Sequence, residues 1–228
     1  MLEILYEDRD IIAVNKPEGV ASIAENDSSI SSVHSLLEEK LGRRIFIVHR
    51  LDKEVSGVIL FAKSAPAHKY LNRQFFNRTV KKHYIALAYG LFDDDSGAIN
   101  KPIREFGSGR MGIDGKAGKQ SETKYKVLRR IGGFTLLELN PSTGRRHQLR
   151  VHLYSIGHSI VGDRRYGEKT IRQEYSRVML HASEIEFMLP GEKNISVASP
   201  LPDSFIKVVD EISSLNQEIG ENQLAKLF

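Results

Sequence analysis

The sequence predicts an α+β fold: a mostly antiparallel, mixed β-sheet flanked by helices and loops. Strand-like stretches lie next to one another, as in 2–6 with 11–15 and 121–130 with 133–140, joined by the turns EDRD and Gly132-Gly133. Helical periods fall between them irregularly, which argues against regular βαβ alternation. No internal repeat and no sharp linker divides the 228 residues, so residues 1–228 read as one domain.

The elements follow in order. After the first two strands, Lys16-Pro17-Glu18-Gly19 reads as a loop. Ile30, Val33, Leu37 and Leu41 recur at helical spacing, predicting a helix over 30–41 capped by Ser28 or Ser29. The turn at HRLD leads into a buried strand over 57–63, and Ser64 caps a helix over 65–77. VKKHYIALAYG, 80–90, alternates as a strand; DDDSG, 93–97, reads as a solvated turn and not a metal site. Residues 101–120 are Gly-rich and basic, an exposed hairpin or mobile loop. A helix over 144–156 starts at Thr143 and stops at Gly157, GHSIVGDRRYG is loop, and strands cover 178–189 and 193–199. The tail carries Phe205, Val209, Ile212, Leu215 and Ile219 at helical spacing, a docking helix over about 203–220.

Composition narrows the function. A chain that is 40% hydrophobic and 27% charged can bury a core and stay soluble. The absence of cysteine excludes disulfides, thiolate metal sites and cysteine nucleophiles, and suits the reducing cytoplasm, the expected location. No run reaches the ~18 apolar residues of a membrane span. Net charge is only +4, but the basic residues cluster: Lys81-Lys82, Arg129-Arg130, Arg145-Arg146 with Arg150, and Arg164-Arg165. Clusters of this kind beside candidate site motifs favour a phosphate-rich partner.

Several motifs fail. GSGRMG, 107–112, matches G-x-G-x-x-G but neither follows an apolar strand nor opens a helix. GKAGKQS lacks the spacing and hydroxyl of a phosphate-binding Walker loop. The eight histidines include no H-E-x-x-H, so no metal is expected. No G-x-S-x-G elbow supports a serine hydrolase. Glu54 is two residues from Asp52 and, on an extended segment, points away from it, which argues against a carboxylate-pair hydrolase.

Three stretches hold. HRLDKEVSG, 49–57, sets Asp52 among bases at the mouth of a buried strand. TGRRHQLRVH, 143–152, offers the free N–H groups of a helix start beside Arg145 and Arg146, an anion site, with His147, Arg150 and Tyr154 on one helical face. KKHYIALAYG puts Tyr84 in mid-strand between basic residues and an apolar run.

Taken with KPEG at 16–19, GDRRYG at 162–167 and LHA at 180–182, these stretches closely resemble, in one order over residues 3–200, the RluA family of RNA pseudouridine synthases. HRLD followed by Ser-Gly is the most specific piece and the HQLR helix the next. The resemblance implies a cofactor-free isomerisation of uridine to pseudouridine in RNA, ribosomal or transfer, with large-subunit ribosomal RNA slightly favoured. It implies that Asp52 is the catalytic aspartate, by attack on ribose carbon 1, by attack on the pyrimidine ring, or through a glycal. Tyr84 is expected against the target base and Arg150 paired with Asp52, where a guanidinium can hold a carboxylate bidentately and keep it charged. Arg50 would fill the gap left by the flipped base. His49, Lys16, Arg145, Arg146 and His147 are expected RNA contacts, though Lys16 has an equally good structural reading. Leu180-His181-Ala182 reads as packing.

The chain also departs from the family pattern. Val55 stands where Thr is usual, removing a hydroxyl beside the active turn, and Arg146 stands where Thr or Ser is frequent. Many relatives carry an N-terminal S4 RNA-binding domain. This sequence opens on the catalytic region, so RNA selection is expected from the catalytic domain, including 101–120. A monomer is expected. The competing reading is a silent RNA-binding or ribosome-assembly protein, which predicts damage at Asp52, Tyr84 or Arg150; all three are intact.

Overall fold

Asp8 shapes the first turn: its carboxylate accepts the N–H groups of Asp10 and Ile11 at 2.8 and 2.7 Å, closing the hairpin of β1 (Glu3–Glu7) and β2 (Ile11–Lys16). The computed structural model describes residues 2–24, 31–167, 175–191 and 193–224, with side chains of the last helix described through 215. Helix α1 (Val33–Leu41) starts later than its period suggests, because Ser32 forms a reciprocal capping box with Ser35. The expected caps Ser28 and Ser29 lie outside the described residues. After β3 (Phe46–Ile47) comes β4 (Ser56–Ala62), buried at all seven positions, as its unbroken apolar run requires. Ser64 caps α2 (Ala65–Phe76), and β5 (Lys81–Tyr89) follows.

The basic segment expected as an exposed hairpin or mobile loop is a hairpin. After β6 (Ser96–Asn100), strands β7 (Ile103–Glu105) and β8 (Met111–Ile113) pair with each other, and Ile103 and Met111 anchor them against Val151 and Tyr166. Then come β9 (Glu122–Ile131), β10 (Phe134–Pro141), α3 (Gln148–Tyr154), β11 (Leu180–Leu189), β12 (Lys193–Ala198) and α4 (Asp203–Leu224).

Helix α3 corrects the expectation of a helix over 144–156. Residue His147 sits at its N-cap with φ +54°, a left-handed conformation that interrupts any helix arriving from 144. Thr143 does not cap; its hydroxyl donates to Gln148 Oε1 at 2.7 Å. The same Oε1 accepts the Arg145 N–H at 3.0 Å, so that N–H is not free for an anion. Neither does His147 share a helical face with Arg150 and Tyr154, since it precedes the helix.

Among the described residues, ten strands form one mixed sheet in the order β1-β2-β4-β11-β5-β10-β9-β6, with β12 on β11 and β3 on β4. Among the described residues, only β4 and β11 run parallel, at His181↔Ser56 and Ala182↔Gly57; the other pairs are antiparallel. The parallel contact is very close. Gly57 has φ +117°, and a Cβ there would run into the Ala182 backbone. This accounts for glycine at 57. One apolar cluster gathers α1 and α2 around β2 and β4, and a second gathers α3 and α4 around β5 and β10. No helix among the described residues is long and apolar enough to cross a membrane.

Candidate active site

The sheet register decides which side chains meet. Gly57 on β4 faces Ala182 on β11, and Ala182 faces Tyr84 on β5. The turn 49–55 therefore enters β4 with one strand, β11, between it and Tyr84, over the middle of the sheet. On the other side, α3 brings Arg150. Asp52, Tyr84 and Arg150 line one open cleft of about 580 Å³, together with His49, Arg50, Lys82, Arg145, Arg146 and His147. Lys16, the remaining expected site residue, lies outside that lining.

Arg150 is 2% exposed and is the hub. Its Nε and Nη2 donate to the two oxygens of Asp163 at 2.6 and 2.9 Å. Its Nη1 donates to Asp52 at 3.2 Å and to Glu54 at 3.3 Å. The bidentate grip expected on Asp52 is thus spent on Asp163, and Asp52 receives one N–H. Burial opposes the Arg150 charge, but the hydrogen bonds and charge of Asp163, with Asp52 and Glu54 adding to them, outweigh it and raise its pKa. For Asp163 too, burial works against ionisation; Arg150 and the N–H groups of Arg165 and Tyr166 overcome it, and its pKa is lowered. Tyr166 places its ring 5.3 Å below the Arg150 guanidinium.

Glu54 does not point away from Asp52. Residues 52–55 form a turn closed by Val55 N–H to the Asp52 carbonyl at 3.1 Å, and the turn sends both carboxylates toward Arg150. Val55 itself is 2% exposed and packs in the second core cluster. The turn closes through backbone here, without the hydroxyl of a threonine.

Tyr84 is half-buried at the cleft floor. Burial, with the Asp52 charge adding to it, pushes its phenol above the ordinary range, the wrong direction for a base at neutral pH. Next to it, Lys82 donates to the Thr143 carbonyl at 3.0 Å, and burial lowers its pKa to about 8.

The expected RNA contacts divide. Arg50 and Arg146 are exposed on the cleft, and Arg146 pairs with Glu105 of β7 at 3.0 Å. Arg145 is half-buried and reaches the Gln120 carbonyl at 3.4 Å. His147 pairs Nδ1 with the Tyr166 hydroxyl at 2.7 Å and holds Nε2 3.9 Å from Asp52; burial outweighs that charge and lowers its pKa. Two residues are corrected. His49 accepts the Leu60 N–H at Nε2, stacks on Phe75 and, through burial, is lowered to about 3, so it is a neutral structural ring and not a phosphate contact. Lys16 is fully buried, and its ammonium donates to the carbonyls of Pro17, Val20 and Lys53 at 2.7–3.0 Å. Its structural reading holds: it ties the KPEG loop to the turn that carries Asp52.

Sequence reasoning assigned no role to Asp163 or Tyr166 and took Lys82 only as part of a basic cluster. The only signal for the first two was their place in GDRRYG.

A family model described as RNA pseudouridylate synthase matches residues 10–155. The dual-specificity RNA pseudouridine synthase RluA of Haemophilus influenzae is 39% identical over 195 residues, 83% of this chain and 88% of that protein. The ribosomal large subunit pseudouridine synthase C of Vibrio cholerae is 34% identical over 205 residues, 87% of this chain, and the match spans 65% of that longer protein. Among solved structures, human RNA pseudouridylate synthase domain containing 1 superposes with a TM-score of 0.77 at 32% identity, covering 89% of this chain and 84% of that one.

Proposed function

The chain belongs to the RNA pseudouridylate synthase family, and from that premise we propose that it isomerises specific uridines of a structured RNA, with Asp52 as the nucleophile. The carrying observation is the pairing of Asp52 with the buried cation Arg150 on the floor of an open basic cleft. In the reaction the bond from N1 to ribose carbon 1 breaks and a bond from C5 to the same carbon forms. N1 gains a proton and C5 loses one, so atoms balance without a cofactor. The target uridine leaves its stack to reach Asp52, at a cost of a few kcal/mol that phosphate contacts and stacking offset. Arg50, exposed at the cleft mouth, is positioned to fill the vacated space. Tyr84 acts as a neutral phenol against the base. A solvent base serves the C5 proton better than a phenol whose pKa is raised.

Large-subunit ribosomal RNA is the favoured substrate, supported by the name of the Vibrio cholerae relative. A second pool, transfer RNA, stays in the reading because the Haemophilus influenzae relative is named for dual specificity. The test is release of tritium from uridine carbon 5 in transcripts of each class. Release from ribosomal transcripts supports the reading. Release only from transfer transcripts reassigns the substrate. Tight RNA binding with no release from either pool favours the silent RNA-binding protein instead.

A further inference from the structure

We infer that Phe76 is a stacking platform for an unpaired RNA base beside the reacting uridine. This rests on the proposed action on RNA and adds a contact that favours an unstacked neighbour of the target.

Phe76 ends α2 with 86% of its surface exposed, the highest among the large apolar side chains of the described residues. Phenylalanine is ordinarily an interior residue. Its neighbour Phe75 behaves that way, stacking on His49 with ring centroids 4.9 Å apart and packing against the core. Phe76 instead lies on the rim of the cleft that holds Asp52.

The mount is rigid. Gln74 exchanges two hydrogen bonds with the Met188 backbone, at 2.9 and 2.8 Å, which pins the end of α2 to β11. The Gln74 carbonyl also accepts the Thr79 N–H at 3.0 Å. Between them Arg78 takes φ +59°, uncommon for a residue with a side chain, and its N–H donates to the Phe75 carbonyl at 3.2 Å. This turn brings the exposed Arg78 to the same cleft wall as Phe76. The backbone that carries the ring is therefore fixed at the cleft, and only side-chain rotation is left to order when it binds.

The surroundings select the occupant. Among the described lining residues, Arg50, Arg78, Lys82, Arg145, Arg146 and Arg150 stand against the carboxylate of Asp52. An aromatic face set among cations matches a polyanion with flat apolar faces, a single-stranded nucleic acid. A paired, stacked base hides its face. The ring therefore reads a nucleotide already unstacked, as a neighbour of the flipped uridine is.

The test uses the 228-residue chain with ribosomal and transfer transcripts labelled with tritium at uridine carbon 5. Phe76→Leu keeps apolar bulk without an aromatic face; Phe76→Tyr keeps the face. Phe76→Leu lowers kcat/KM on the preferred transcript on the order of tenfold, and Phe76→Tyr stays within about threefold of wild type. In an Asp52→Asn background, transcript affinity falls with Phe76→Leu by the same factor. Both variants keep the wild-type unfolding midpoint, because the ring is exposed. A Phe76→Leu enzyme as fast as wild type overturns the platform, and so does equal loss in both variants. A wild-type protein that neither releases tritium nor binds the transcripts removes the RNA reading first, a result distinct from failure of the platform alone.

Discussion

Replacing Asp163 by Asn keeps the shape of the side chain and removes its charge. In the wild type Asp163 is 1% exposed and accepts four N–H groups: Arg150 Nε at 2.6 Å and Nη2 at 2.9 Å, Arg165 N at 2.9 Å and Tyr166 N at 3.0 Å. An asparagine whose oxygen serves the last three turns its NH2 group against Arg150 Nε, donor facing donor. Breaking a buried ion pair costs about 3–5 kcal/mol. Asp52 and Glu54 still face Nη1 of Arg150, so the lower end, about 3 kcal/mol, is expected. Catalysis suffers separately: a guanidinium freed on that edge no longer fixes Nη1 against Asp52, and a misplacement of ~1 Å costs on the order of 100-fold in rate. Urea unfolding reads the first effect and tritium release the second. The pH dependence has a definite sign. The pKa of Asp163 is lowered on folding, so its contribution is present above the unfolded carboxylate value of about 3.9 and is lost as pH falls through the folded value. The stability gap between wild type and Asp163→Asn therefore narrows in acid. An Asp163→Asn protein as stable and as fast as wild type at neutral pH refutes Arg150 anchoring by Asp163.

Lys16→Met leaves three carbonyl groups without their donor and destabilises by about 1–3 kcal/mol, while the salt dependence of RNA affinity is unchanged; Arg50→Ala has the opposite profile, with stability held and the salt slope reduced by about one. Filter binding across a salt series, with urea unfolding of both variants, separates the two. His83 lies between Glu138 and Glu186 at 3.0 and 3.1 Å. Burial opposes its charge, but the two carboxylates prevail and its pKa is raised. Its stabilising contribution is therefore complete below about pH 6.5 and is lost as pH rises through the folded value. His83→Gln is accordingly most destabilised relative to wild type in mild acid, and unfolding curves from pH 5.5 to 9 check the convergence.

Local chemistry made much of the fold legible. Ser64 before a period-3.6 stretch marks α2, and the unbroken apolar run after Ser56 marks the buried β4. Helix α3 was misjudged because Thr143 and Gly144 look like a helix start, whereas the Gln148 side chain occupies the N–H and hydroxyl that such a start would use. The nearness of Asp52 and Arg150, 98 residues apart, has no local signature; it came through the resemblance of their motifs. Asp163 was passed over for the same reason, since a loop aspartate reads as exposed until α3 lays Arg150 against it. His49 shows the reverse error: a polar residue in a loop read as available, yet its partner is a main-chain N–H that no side-chain pattern displays. Glu54 was misplaced by treating a turn as an extended segment.

The proposed role of Asp52, held by Arg150, is to perform the chemistry. Its most direct test is tritium release by wild type and by Asp52→Asn on the same transcript, with affinity measured alongside. Wild type is expected to release tritium and Asp52→Asn none above background, with affinities that agree within about threefold, since positioning on RNA comes from phosphate contacts around the cleft. Turnover by Asp52→Asn at a rate near that of the wild type would contradict that role.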